Sequence, residues 1–178
     1  MSVVVRQTAE TKIRVELAKG TGVGKIATGH RFFDHMLNTL ARYSGLDITV
    51  DATGDLTHHL MEDVAIALGA AVRQATPATA ARYGDRMIPM DDALVHAALD
   101  LGGRFYYRGK LPNSLYQHWM RSFAENAKAT FHLRVLRGEH RHHVIEAAFK
   151  ALGLALREAL AETGAVFSTK GAVSLEVK

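Results

Sequence analysis

Residues 54–62 read GDLTHHLME and residues 138–146 read GEHRHHVIE. Each stretch holds a Gly, an acid one place later, an adjacent His pair and a closing Glu, at a constant offset of 84 residues. On a helix, residues three and four apart share a face, whereas immediate neighbours point about 100° apart. Glu62 can therefore share a face with His58 or His59, and Glu146 with His142 or His143. The two His of a pair cannot easily reach one ion. One of them can join the Glu at one metal while its neighbour reaches a second. This follows the Glu-x-x-His logic of helical di-metal sites. Four imidazoles and two carboxylates, with no thiolate, suit Mn, Fe, Zn or Ni. One such cluster is often chance; two in register, each opening an apolar helix, point to metal binding. His35 and His132 stand beside the repeat as further candidates. His35 aligns with His118 and His132 aligns with Ile48, so symmetry alone favours His118 as much as His35.

The elements that position these clusters repeat with them. Leu68-Gly69 meets Leu152-Gly153, Arg73 meets Arg157, and DHML (34–37) meets QHWM (117–120) after a one-residue shift. Two copies are too few for a solenoid, so the pattern reads as a duplicated half-domain. In the first half, VVVRQTAETKIRVELA alternates apolar residues as a strand does. RFFDHMLNTLARY has helical spacing, LDITVDA is strand-like, and HHLMEDVAIALGAAVRQA places Leu60, Val64, Leu68, Ala71 and Val72 on one helical face. LVHAALDL, SLYQHWMRSFAENA, TFHLRVL and HHVIEAAFKALGLALREAL repeat that order. The expected fold is therefore an α/β, or α+β, sandwich: β-α-β-α twice over, sheets packed against helices. The repeats cover approximately 3–76 and 90–161 of one domain spanning 1–178, and the loop QATPATAARYGDRMIP (74–89) joins them.

Composition excludes several classes. At 178 residues the chain suits one domain with a sizeable core. No apolar run approaches the roughly 18 residues of a membrane span. There is no Cys, and the N-terminus lacks the pattern of a signal peptide, so a cytoplasmic protein is expected. The net charge is +4, but Lys and Arg are scattered, which argues against nucleic acid and fits a small phosphorylated ligand. GTGVGK (20–25) fits neither nucleotide-loop spacing, and HExxH and Gly-x-Ser-x-Gly are absent. FSTKGAV (167–173) offers Ser168, Thr169 and Lys170 in a donor-rich loop of the kind that holds phosphate. Arg82 and Arg104 are further candidate phosphate partners.

Nine segments now carry a resemblance: RQTAETKI (6–13), TGHRFFDHML (28–37), HHLMED (58–63), ARYGD (81–85), IPMDDAL (88–94), LDLGGR (99–104), ATFHL (129–133), HHVIEAAFKAL (142–152) and STKG (168–171). Along almost its whole length the chain resembles the imidazoleglycerol-phosphate dehydratases of histidine biosynthesis. The resemblance implies a duplicated α/β half-domain of the ribosomal S5 domain 2-like kind. It implies a homo-oligomer of 24 subunits with active sites at subunit interfaces. It also implies two Mn2+ per site, held by His35, His58, His59, Glu62, His132, His142, His143 and Glu146. The implied reaction removes water from D-erythro-imidazole glycerol phosphate to give imidazole acetol phosphate, through a metal-bound imidazolate and a diazafulvene-like intermediate. Glu10 matches the family's acid/base carboxylate, with Glu62 and Glu146 as further catalytic carboxylates. Arg82, Arg104, Lys150, Ser168, Thr169 and Lys170 match its phosphate-binding positions.

The chain departs from the family's pattern at four places. The segment before His58 is shorter by three residues. Thr39 replaces a frequent Gln, Asp92 a frequent Glu, and His140 a frequent Asn. Two rival readings explain less. A metal-storage protein leaves Glu10, Arg82, Arg104 and STKG without a role, and a nucleic-acid-binding protein explains little beyond the charge.

Overall fold

A computed structural model describes residues 1–166. The first half runs β1 (Ser2–Gln7), β2 (Thr11–Lys19), β3 (Gly24–Ala27), α1 (Arg31–Ser44), β4 (Leu46–Gly54) and α2 (Thr57–Ala75). The second runs β5 (Tyr83–Met90), β6 (Ala93–Asp100), β7 (Tyr106–Gly109), α3 (Ser114–Ala127), β8 (Thr130–Arg137) and α4 (Arg141–Ala159). The two four-stranded sheets have matching orders, β1-β2-β4-β3 and β5-β6-β8-β7. In each, the first three strands of that order are antiparallel and the short edge strand is parallel to its neighbour. The duplicated α/β architecture is thus present, with each half richer in strands than the expected β-α-β-α.

Local chemistry accounts for the added strands. VVVRQTAETKIRVELA is a hairpin rather than one strand, because Thr8 Oγ1 accepts the N–H groups of Glu10 and Thr11 and turns the chain. Residues 83–89, expected in the joining loop, belong to β5, which pairs with β6 as β1 pairs with β2. The second unit thus reaches back to Tyr83. β5 alternates poorly in hydrophobicity, and Pro89 is tolerated because β5 is an edge strand. β3 and β7 have four residues each, too few to show a period.

Each sheet buries one face. Ile13, Val15 and Leu17 of β2 alternate with exposed or half-buried neighbours, and Val95, Ala97 and Leu99 of β6 do the same. α2 covers β1, β2 and β4, while α4 covers β5, β6 and β8. The helices also cross between halves: α2 packs on α3, and α1 packs on α4. One continuous core joins both halves, with Trp119, Phe123 and Phe149 fully buried at its centre. Gly69 and Gly153 permit the crossings. A Cβ on Gly69 would lie 2.4 Å from the Phe123 carbonyl oxygen of α3, and one on Gly153 would lie 2.8 Å from Tyr43 Cβ of α1. No described helix is long and apolar enough to cross a membrane.

Candidate metal centre

The first turns of α2 and α4 carry the two His-His-x-x-Glu clusters. The crossing helices complete them. His118 of α3 puts Nε2 3.1 Å from Glu62 Oε1, and His58 Nε2 lies 3.6 Å from Glu62 Oε2. The His58 and His118 rings stack at 5.0 Å. In the other half, His35 of α1 puts Nε2 3.3 Å from Glu146 Oε2, and His142 Nε2 lies 3.1 Å from the same oxygen. Within each triad the candidate ligand atoms all lie within 4.8 Å of one another. A two-imidazole, one-carboxylate set of this span fits a first-row divalent ion.

Local bonds aim the contributed His residues. Asn113 accepts the N–H groups of Leu115 and Tyr116, fixing the start of α3 below His118. Asp34 accepts the N–H and the hydroxyl of Thr28, fixing the start of α1 beside His35. α2 is tied to the β1–β2 hairpin through buried Asp63, which receives Arg6 Nε at 2.7 Å and the Thr11 hydroxyl. Glu146 is buried, and Lys150 Nζ lies 3.0 Å from its Oε1. Burial pushes the Glu146 carboxyl up, but Lys150 and His35 outweigh it and hold the carboxyl below its ordinary value.

The second His of each pair faces elsewhere. The His58 and His59 rings stand at 79° and the His142 and His143 rings at 88°, the divergence that helix geometry predicts for neighbours. His59 Nδ1 lies 3.0 Å from Asp55 Oδ1 and 3.4 Å from Glu10 Oε2. These three residues form a third group with candidate ligand atoms within 4.8 Å. The bond to Asp55 raises the His59 pKa, and the same bond lowers that of Asp55. His143 Nδ1 lies 2.6 Å from Asp92 Oδ1, and His143 Nε2 lies 3.5 Å from Asp91 Oδ2.

Seven of the eight implied ligands lie in or directly beside the triads; His132 does not. On β8, Phe131 and Leu133 point into the core, so His132 points to the opposite, exposed face of the sheet. Its ring lies 5.4 Å from that of Tyr106. Within the one chain, His118 joins His58 and Glu62. The repeat had already marked His118, since it aligns with His35.

The implied phosphate residues are dispersed within one chain. Arg82 sits at φ 73° and grips Asp100 with Nε and Nη2, at 2.6 and 3.0 Å. Arg104 is exposed on the loop between β6 and β7. Lys150 is engaged with Glu146 and also reaches Met90 Sδ at 3.3 Å. Ser168, Thr169 and Lys170 lie outside the described residues. A cavity of about 560 Å³ opens beside the first triad, lined by His58, His118, Arg108 and Arg121 among others. Its two arginines, which the sequence reading did not single out, make it suited to an anion.

Two His-His-carboxylate triads, each able to hold a metal ion, on a duplicated α/β fold point to a metal-binding protein assembled from two half-domains. Comparison with known proteins makes this particular. The family model described as imidazoleglycerol-phosphate dehydratase matches residues 28–156. The imidazoleglycerol-phosphate dehydratase of Anaeromyxobacter sp. (strain Fw109-5) is 46% identical over 186 residues, covering 94% of this chain and 91% of the relative. That of Salinispora arenicola is 47% identical over 195 residues, covering 94% and 96%. The crystal structure of the Pyrococcus furiosus enzyme in complex with (S)-C348 superposes with a TM-score of 0.86 at 41% identity, covering 96% of this chain and 100% of that one. The Staphylococcus aureus enzyme gives 0.82 at 31% identity, covering 91% and 99%. The chain belongs to the imidazoleglycerol-phosphate dehydratase family and is a hydro-lyase of histidine biosynthesis.

Proposed function

We propose that this chain converts D-erythro-imidazole glycerol phosphate to imidazole acetol phosphate with two Mn2+ ions per active site. The pair of pseudo-symmetric triads, His58–Glu62–His118 and His35–His142–Glu146, carries this reading. Their donors, neutral imidazole and carboxylate, fit Mn2+. Bound there, the two ions supply Lewis acidity that favours the imidazolate form of the substrate ring and a template that orients it.

The chain's own residues supply the rest. Glu62 and Glu146 keep the triads anionic. Glu10, on the β1–β2 turn 3.4 Å from His59, takes the proton from the second carbon out from the ring, the one that keeps its hydroxyl. The ring proton leaves first, and the ring electrons expel the adjacent hydroxide, which takes up a proton and departs as water. Loss of the proton from the next carbon, which keeps its hydroxyl, restores the aromatic ring, the ring nitrogen takes a proton back to give the enol, and tautomerisation that protonates the carbon beside the ring gives the ketone. Arg104 and the cavity arginines Arg108 and Arg121 bind phosphate together with Ser168, Thr169 and Lys170. Asp100 holds Arg82 in place for the same task, and Lys150 orients Glu146 before it meets substrate.

Each triad offers three donors, fewer than an octahedral ion takes. His59 and His143, turned away from their own triads, are suited to complete the sites of neighbouring copies. This supports a homo-oligomer with interface sites, of 24 subunits as in the resemblance, and the absence of Cys suits the cytoplasm. The test is turnover after chelation and Mn2+ return, with an anomalous-scattering metal map of the assembled protein. Expected are two ions, one at each triad, and formation of the acetol phosphate only when they are present. Turnover undiminished by complete chelation would overturn the reading.

A further inference from the structure

Asp92 lies on the β5–β6 turn, far in sequence from the His pair it serves. Its Oδ1 lies 2.6 Å from His143 Nδ1. Its Oδ2 accepts the backbone N–H groups of Glu139 and His140, at 2.6 and 3.0 Å, where the chain enters α4. The carboxylate is thus pinned by the main chain and cannot swing away from the ring. An ionised carboxylate only accepts hydrogen bonds, so the ring must donate from Nδ1. In the neutral ring that leaves Nε2 with its lone pair, and only the weaker 3.5 Å approach of Asp91 Oδ2 stands on that side. The same relation holds in the other half by a different route. Asp55, which immediately precedes the Leu56 that opens α2, places Oδ1 3.0 Å from His59 Nδ1 and takes the Leu56 N–H at 2.6 Å. The repeat aligns Asp55 with Glu139, yet Glu139 contributes its backbone N–H to Asp92. The two halves reach one arrangement with residues that are not repeat partners.

We propose that Asp92 and Asp55 are positioning residues that fix the Nδ1–H tautomer and the direction of His143 and His59, so that Nε2 of each presents a lone pair to a metal ion. The proposal rests on the metal-site reading above. Carboxylates behind metal-bound His commonly raise affinity 10–100-fold. The role asks for a carboxylate at this position, which Asp92 supplies here and the frequent Glu of the family's pattern supplies too.

The test measures the Mn2+ dissociation constant by chelator competition, and the unfolding temperature in chelator, for the assembled wild-type protein and its variants. Asp92→Asn keeps the shape and the backbone acceptor, but it can turn an amide N–H to Nδ1 and favour the wrong tautomer. Binding weakened about 10–100-fold, with an unfolding temperature in chelator near that of wild type, is expected. Asp92→Glu should recover most of the affinity. An Asn variant within about twofold of wild type, or a Glu variant as weak as the Asn variant, overturns the proposal. If Asp92→Asn does not fold, Asp55→Asn decides by the same criteria. Wild-type protein that binds no Mn2+ overturns the metal-site reading itself, which separates the two failures.

Discussion

Glu62 and Glu146 occupy matching places in unequal surroundings. The Glu62 side chain is 35% exposed and faces His58 and His118, whereas that of Glu146 is 10% exposed and also holds Lys150. Glu62→Gln should therefore lower Mn2+ affinity and turnover together, each by more than about tenfold, with little change in unfolding of the metal-free protein. Glu146→Gln should do the same and also destabilise the metal-free protein by about 1–3 kcal/mol, because it leaves a largely buried ammonium with a weaker partner. Metal analysis and urea unfolding in chelator separate the two. Asp47 lends itself to a pH test away from the site. Val23, Thr21 and Gly22 donate their N–H groups to it, and the bond from Val23 is the largest cause holding its pKa below the ordinary value. A carboxyl depressed in the folded state stabilises it above the unfolded pKa of about 3.9 and loses that effect as pH falls through the folded value. Asp47→Ala should thus be less stable than wild type at pH 7, with the gap closing below about pH 4, as read by urea unfolding across pH. At this scale the repeated cluster is legible in sequence because its spacing obeys the helix period. That His118 meets His58 and Glu62 within one chain, while His132 faces away from the core on β8, is not, since it depends on how the helices cross and which face of β8 the core covers.

The crossings α2–α3 and α1–α4 are what bring the third His to each triad. Gly69→Ala would place a methyl against the α3 backbone, where no flexible side chain can yield. The expected cost is about 1–3 kcal/mol of stability. Mn2+ binding should also weaken at the His58–Glu62–His118 triad, since α3 is displaced from α2, while the other triad keeps its affinity. Two-site metal titration checks this, and uniform loss at both sites would contradict it. The repeated Leu-Gly was visible as a match, but its role was not, because the partner backbone is distant in sequence. Short strands were the least legible elements: four residues cannot declare a period, and Pro89 with a broken alternation hid β5. The long helices and β2, β4, β6 and β8 announced themselves, because each buries one face against the core and their apolar spacing records it.

Neither half can form a triad alone, because each triad draws two residues from one half and one from the other. The two copies also share one continuous core. Metal that binds only the folded, assembled chain should stabilise it, by about 2.7 kcal/mol at a hundredfold excess over the dissociation constant. Chelation is expected to lower the unfolding temperature and to shift the sedimentation profile toward smaller species, reversed by Mn2+. An unchanged profile would count against ligands shared between copies. Sequence by itself determined the two His-His-x-x-Glu clusters, the duplicated α/β pattern and the family, because helix spacing, strand alternation and motif order are local properties of the chain. The tertiary structure decided which distant side chains meet: His118 with α2, His35 with α4, and Asp92 behind His143. Those meetings depend on how helices cross and where a turn lands, and no local period encodes a contact between residues so far apart in the chain.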